Sequence, residues 1–171
     1  MNNEENNEKE NFQIKSEIIH DISRIETILN SGIFNAANNY NPLEESAFIE
    51  LMILLRDLIY KAEKIGERVN FSDDIITDAN TKDVSDTIRH IRDSVCHINS
   101  GKRIVDSQRN RVSFCIHYGK GVFANFGDIV LKSDYEDEIS FFYGHHQLYL
   151  KRHIIRAFKC AKEVLKQKYN I

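Results

Sequence analysis

A short segment of the chain, residues 89–97, combines side chains that can hold a phosphate with one that can move a proton. Arg92, Asp93 and His97 have the spacing R-D-x-x-x-H. An arginine offers a fixed fork of donors that fits a phosphate, and a histidine exchanges a proton near neutral pH. These residue types suffice to cleave RNA without a metal: the 2′-hydroxyl attacks the phosphorus, His97 moves the proton, and Arg92 stabilises the developing charge.

This segment is predicted to belong to a helix over about 82–99, the third in the chain. Its apolar residues share one face: Val84, Ile88, Ile91, Val95 and Ile98. Asp93 and His97 are four residues apart, so on a helix the carboxylate can orient or charge the imidazole. Arg92 and His97 would lie about 140° apart around the helix axis, so one helix cannot easily direct both at one phosphate. A symmetric dimer can bring Arg92 and His97 of two helices together.

The remaining elements alternate between two periodicities. Apolar residues at helical spacing predict further helices at about 13–30, 42–65 and 146–168. Between the third and last helices, apolar and polar residues alternate, which predicts short strands within about 111–143. We therefore expect a mainly α fold, an antiparallel helical bundle with a small antiparallel β insert between the third and last long helices.

The motif and its position carry a resemblance to a known family. Arg92-Asp93-x-x-x-His97 resembles the R-x(4–6)-H signature of the HEPN family (higher eukaryotes and prokaryotes nucleotide-binding), in which Asn, Asp or His usually follows the arginine. As in that family, the motif is expected on a late helix of a small bundle, with Ile91 before it and a glycine-containing turn after it. The resemblance covers about 12–100 and 146–168, whereas the β insert has no named counterpart.

The resemblance implies a function. HEPN proteins are commonly metal-independent endoribonucleases that act as toxins or antiviral effectors, and two protomers pair so that both motifs line one cleft. It therefore implies a homodimeric ribonuclease that uses no cofactor, with RNA as substrate and an antitoxin or a neighbouring defence protein as a further partner. Two alternatives remain open: a non-catalytic HEPN-like binding module or partner subunit, and a structural dimer in which the motif is coincidental. Arg111 and His117 also satisfy R-x(5)-H, but on a predicted strand.

Positive charge is concentrated in two segments although the net charge is −3. Residues 89–111 sum to +4 and residues 151–171 to +6. Three residues of the first segment are predicted to bind RNA phosphates: Arg89, Lys102 and Arg103. For the last helix, RNA binding and docking on the acidic residues 12–88 are both open.

Histidines and aromatic residues near the start of the last helix offer weaker candidates. His146 and His153 are seven residues apart, next to His145, but helical zinc sites usually use histidines four apart, and no metal is expected. An aromatic cluster there could stack bases, although core packing is commoner: Phe141, Phe142, Tyr143 and Tyr149.

Length and composition set the outer limits. The 171 residues suit one domain over 12–171, preceded by a disordered polar tail at 1–11 that alone carries a charge of −3. No apolar run is long enough to span a membrane, and the first residues lack the apolar core of a signal peptide. The three cysteines are widely spaced and odd in number, which favours free thiols in a reducing cytoplasm.

Overall fold

The described part of the chain forms four α-helices and two β-sheets. The computed structural model describes residues 3–36, 41–97 and 101–171, and side chains from residue 8 onward. The helices are α1 (Asn3–Asn30), α2 (Leu43–Lys64), α3 (Val84–Cys96) and α4 (Arg156–Tyr169). The strands are β1 (Cys115–Tyr118), β2 (Gly121–Phe126), β3 (Ile129–Ser133), β4 (Ile139–Tyr143) and β5 (His146–Tyr149). A 3₁₀ turn at Gly101–Arg103 precedes the strands, and a π-helical turn at Leu150–Ile155 leads into α4.

Both sheets are antiparallel. The larger has the order β1-β4-β5, with Phe142 of β4 opposite Cys115 on one side and Gln147 on the other. The smaller is the hairpin of β2 and β3, in which Phe126 pairs with Ile129 around a tight turn at Gly127. Strand β4 is therefore the central strand of the larger sheet.

The sheets take part in the core, so the prediction of a mainly α, HEPN-like helical bundle with a small insert is wrong. The structure is 52% helical and 17% strand, a mixed α and β architecture. On one face of β4, Phe141 stacks on Phe48 of α2 with ring centroids 4.7 Å apart. On the other face, Phe142 stacks on Phe123 of the hairpin at 5.5 Å. Because layers cover both faces of β4, this strand has apolar side chains on both sides, interrupted only by the buried Ser140.

Helix α2 is the centre of the helical layer. It contacts α1, α3 and α4, and these contacts position α3, which carries the motif. Its apolar residues bury completely because they recur on one broad face: Phe48, Leu51, Met52, Leu55 and Leu58.

Three element boundaries differ from the predicted ones. Residues 146–149, predicted to start the last helix, form β5, because Gly144 at φ +60° turns the chain back after β4. Helix α3 ends at Cys96, and Ile98 and Asn99 of the predicted helix lie outside the described residues. Helix α1 begins at Asn3, within the segment predicted to be a disordered tail.

Candidate active site

Helix α3 turns its motif away from the core. Val84, Ile88 and Ile91 are fully buried, whereas the Arg92 and Asp93 side chains are 42% and 37% exposed. The helix start is fixed by Asp83, whose carboxylate accepts a hydrogen bond of 3.0 Å from the backbone N–H of Asp86. The fold therefore exposes the centre of the predicted motif on a capped helix.

A groove of about 480 Å³ between α2 and α3 brings three arginines together. Its lining residues are Ile53, Arg56, Asp57, Tyr60, Arg89, Arg92 and Asp93. Burial lowers the pKa of the half-buried Arg56; Arg89 and Arg92 lower this pKa further by charge repulsion, whereas Glu63 and Asp93 oppose the shift. The lining has three arginines and two aspartates, so its net positive charge favours an anion.

Asp93 connects Arg92 to Lys102 of the 3₁₀ turn. Its Oδ1 lies 3.0 Å from Nη1 of Arg92, and its Oδ2 lies 3.8 Å from Nζ of Lys102. Lys102 Nζ in turn lies 2.8 Å from Nδ1 of His90, whose Nε2 contacts the carbonyl oxygen of Asn80 at 3.1 Å. Arg92 is therefore held by a polar network, with its Nε lacking a hydrogen-bond partner among the described residues.

His97 lies just beyond the end of α3 instead of on it. Its backbone is extended, with φ −125° and ψ 96°, and the residue is exposed. Asp93 binds Arg92 and Lys102, and no bond joins it to His97 among the described contacts. The expected Asp93–His97 pair and the 140° angle both assumed a helix through His97, so neither applies to this backbone.

The three predicted RNA-binding residues have different surroundings. Arg89 lines the groove, with Nη2 3.0 Å from Oδ1 of Asp86, and Lys102 belongs to the network around Asp93. Arg103 instead points toward buried groups: its Nη2 lies 3.4 Å from the Ser94 carbonyl oxygen and its Cζ 5.4 Å from the Tyr143 ring centroid. Arg103 thus anchors the turn that carries Lys102, and only Arg89 joins Arg92 in the groove.

Arg56 and Tyr60 are groove residues that the sequence analysis did not single out. They are four residues apart on α2, and the Arg56 Cζ lies 5.0 Å from the Tyr60 ring centroid. A lone arginine within the apolar run of residues 51–59 is the signal that could have drawn attention to Arg56. Arg56 lies near the motif only because α2 packs against α3, and the periodicity of the sequence does not predict how two helices pack.

Three histidines form a cluster of rings that reaches α3 through His90: His90, His145 and His146. His146 stacks on His90 with centroids 5.5 Å apart and lies 4.1 Å from the ring of His145. Burial, followed by the neighbouring His145 and His90, lowers the pKa of His146 to about 3, so this ring stays neutral. His153 is buried and contacts the Asp73 carbonyl oxygen at 2.8 Å. No group of three or more potential metal ligands occurs within the described residues.

The basic last helix makes ion pairs with acidic residues elsewhere in the same chain. Arg156 Nη1 lies 2.8 Å from Oδ2 of Asp73, and Lys162 pairs with Glu26 of α1. These contacts favour docking on the acidic 12–88 segment over RNA binding for these two residues.

The aromatic cluster near the start of the last helix is buried, as expected if it packs in the core: Phe141, Phe142, Tyr143 and Tyr149.

Comparison with known proteins assigns neither a family nor a function to the chain. No family model, curated protein or solved structure matches the chain. Among the described helices, none combines the length and the apolar character that crossing a membrane requires.

Proposed function

We propose that this protein is a metal-independent endoribonuclease of the HEPN type. The observation that carries the proposal is the position of Arg92, held 3.0 Å from Asp93 and lining a groove with Arg56 and Arg89. Three guanidinium groups at one groove suit a phosphodiester backbone, and the motif histidine follows the same helix.

The proposed reaction needs only protein groups and the RNA itself. The 2′-hydroxyl attacks the adjacent phosphorus, its proton passes to His97, and the bond to the 5′-oxygen breaks. The leaving 5′-oxygen takes up a proton from water, and His97 returns its proton to the solvent, so the products are a 2′,3′-cyclic phosphate and a 5′-hydroxyl end. Arg92 stabilises the negative charge that develops on the phosphoryl oxygens, and Asp93 keeps its guanidinium in place.

A direct test measures RNA cleavage in EDTA by the wild type and by the Arg92→Ala and His97→Ala variants. Both variants should lose activity while keeping the wild-type circular dichroism spectrum. Arg24→Ala and His20→Ala are matched controls, because both residues are exposed on α1, away from the groove lining. A substrate with a 2′-deoxy sugar at the cleavage site should resist cleavage. Activity that survives His97→Ala contradicts the catalytic assignment.

The proposal includes a homodimer, which the family resemblance supports. If each site takes Arg92 from one copy and His97 from the other, a heterodimer of the Arg92→Ala and His97→Ala variants contains one intact pair. Mixing the two inactive variants under conditions that exchange subunits should therefore restore part of the activity. No recovery in a verified heterodimer contradicts this shared-site arrangement.

The proposed biological role is that of a toxin or phage-defence effector, with an antitoxin or neighbouring defence protein as regulator. Three free cysteines suit a reducing cytoplasm as the site of action. Expression without neighbouring genes should arrest growth in the wild type and not in the Arg92→Ala variant.

One observation favours a second candidate, a non-catalytic binding module of such a system. Asp93 is engaged with Arg92 and Lys102 and leaves His97 without its expected orienting partner. A wild-type protein that binds RNA in the groove, cleaves none and co-purifies with the product of a neighbouring gene would favour this candidate.

A further inference from the structure

The α2 side of the groove presents an arginine that the predicted motif does not include. Arg56 is half-buried, and its guanidinium lies over the Tyr60 ring, with the Cζ atom 5.0 Å from the ring centroid. Burial of a cation is unfavourable, and it lowers the pKa of Arg56; the charges of Arg89 and Arg92 lower this pKa further, and those of Glu63 and Asp93 oppose them. An anion bound between the three guanidinium groups would relieve this repulsion.

Two exposed apolar side chains lie beside these arginines. Ile53 and Tyr60 line the same groove and are 41% and 42% exposed. Nearby positive charge combined with an aromatic face is the usual composition of a site for single-stranded nucleic acid, because the phosphates bind the cations and a base stacks on the ring. In a duplex the bases are stacked and paired, so their faces are not available to Tyr60.

The acidic residues of the groove are already paired. Asp57 forms an ion pair with Lys61, and Asp93 is engaged with Arg92 and Lys102. A net positive charge remains because Arg56, Arg89 and Arg92 outnumber the two aspartates of the lining, although Arg89 and Arg92 themselves pair with Asp86 and Asp93. The three arginines span both walls of the groove, which suits successive phosphates of one strand better than a single carboxylate.

We propose that the α2–α3 groove binds single-stranded RNA, with Arg56 and Arg89 holding the phosphate next to the one at Arg92, and with a base stacking on Tyr60 in place of a present cation contact of this ring, that of Arg56 or of Lys64. The choice of RNA as the ligand rests on the proposed function. The assignment of Arg56 and Tyr60 goes beyond the motif, because neither residue belongs to it.

Binding of a single-stranded oligoribonucleotide with 2′-O-methyl sugars, measured by fluorescence anisotropy, tests the proposal separately from cleavage. Arg56→Ala should raise Kd about tenfold and reduce the slope of log Kd against log salt by about one phosphate contact. Arg56→Lys should keep most of the salt dependence. Arg24→Ala, a matched arginine on α1, should bind as the wild type does.

Tyr60 gives an independent readout. Tyr60→Ala should raise Kd about tenfold with an unchanged salt slope, and Tyr60→Phe should bind normally, because stacking needs the ring and not the hydroxyl. Duplex RNA should bind at least about tenfold more weakly than single-stranded RNA if base stacking contributes as expected.

Normal RNA binding by folded Arg56→Ala, or equal affinity for duplex RNA, would overturn the proposal. If polyglutamate displaced the labelled oligoribonucleotide as effectively as unlabelled RNA does, this result would also overturn the proposal and would favour an acidic protein partner. The experiments distinguish failure of the groove assignment from failure of the ribonuclease proposal. Wild-type cleavage with unaltered Arg56→Ala binding refutes only the groove assignment, whereas groove-dependent binding without cleavage by the wild type refutes only the ribonuclease.

Discussion

The Asp93 carboxylate lies 3.0 Å from Nη1 of Arg92 and holds the guanidinium at the groove. This contact fixes Arg92 but also adds negative charge where a phosphate would bind. We therefore expect opposite effects of Asp93→Asn on cleavage and on binding. The variant should lower kcat about tenfold, because Arg92 loses its ionic anchor, and should leave KM unchanged or lower it, because repulsion of the phosphate is removed.

Steady-state cleavage kinetics on one RNA substrate check this prediction. Asp128→Asn is the control: Asp128 is exposed in the turn between β2 and β3, and its substitution removes the same charge outside the groove lining. A parallel rise in KM and fall in kcat for Asp93→Asn would show general damage to the site and contradict the positioning role.

Gly144 should be essential for placing the turn that carries Lys102. It has φ +60°, and a Cβ atom at this position would overlap the Lys102 carbonyl oxygen. Gly144→Ala should destabilise the protein by about 3 kcal/mol, of which about 1–2 kcal/mol is left-handed backbone strain and the rest steric overlap. Gly127→Ala isolates the strain, because Gly127 has φ +65° and open space around its Cα. Urea denaturation measures both variants, and equal destabilisation would contradict the close approach.

Phe141 tests whether the strands are integral to the core. This ring is fully buried between the helices and β4, and it stacks on Phe48 at 4.7 Å. Phe141→Ala should lower the free energy of unfolding by about 3–5 kcal/mol. Phe12→Ala, at a position 73% exposed on α1, should change it by less than about 0.5 kcal/mol. A small effect of Phe141→Ala in chemical denaturation would mean that the sheet is peripheral after all.

The contrast between α3 and β5 shows how far the sequence could predict this fold. The periodicity of Val84, Ile88 and Ile91 gave the buried face of α3 correctly, because a long amphipathic pattern depends on local geometry alone. Residues 146–149 were predicted as helix, because the helical pattern of the following residues was extended back through a segment that pairs with β4. Strand pairing depends on partners distant in sequence, so short segments next to a helix are ambiguous.

The candidate site shows the same limit. The sequence indicated Arg89, Arg92 and Asp93 as neighbours on one helix, and all three line the groove. Arg56 comes from α2, more than 30 positions earlier, and only the packing of α2 against α3 brings it beside them. The end of α3 at Cys96 was not predictable either, because Val95 and Ile98 continue the apolar pattern past it.

Asp21 should make stability depend on pH near neutrality. Burial, together with a hydrogen bond to Asp57, raises its pKa to about 7, against the pull of Lys61 Nζ at 3.5 Å. Lys61 also faces Asp57 and Glu17, so three carboxylates compete for one ammonium group. In the unfolded chain the Asp21 pKa is about 3.9. Between these values the folded state binds the proton more tightly, so the free energy of unfolding should fall as pH rises from about 4 to about 8.

Asp21→Asn removes this titration and isolates the contribution of Asp21. The variant should be more stable than the wild type at pH 8, where the charged carboxylate is disfavoured, and the difference should shrink as the pH falls through about 7 toward 4. The lowered pKa of Asp57 acts in a separate window, because the stability it contributes is lost only below its unfolded value of about 3.9. Urea denaturation between pH 4.5 and 8 measures the difference, with Glu163→Gln, at an exposed position of α4, as the control. A constant difference across this range would contradict titration of Asp21 near neutrality, since a purely steric effect of the amide does not depend on pH.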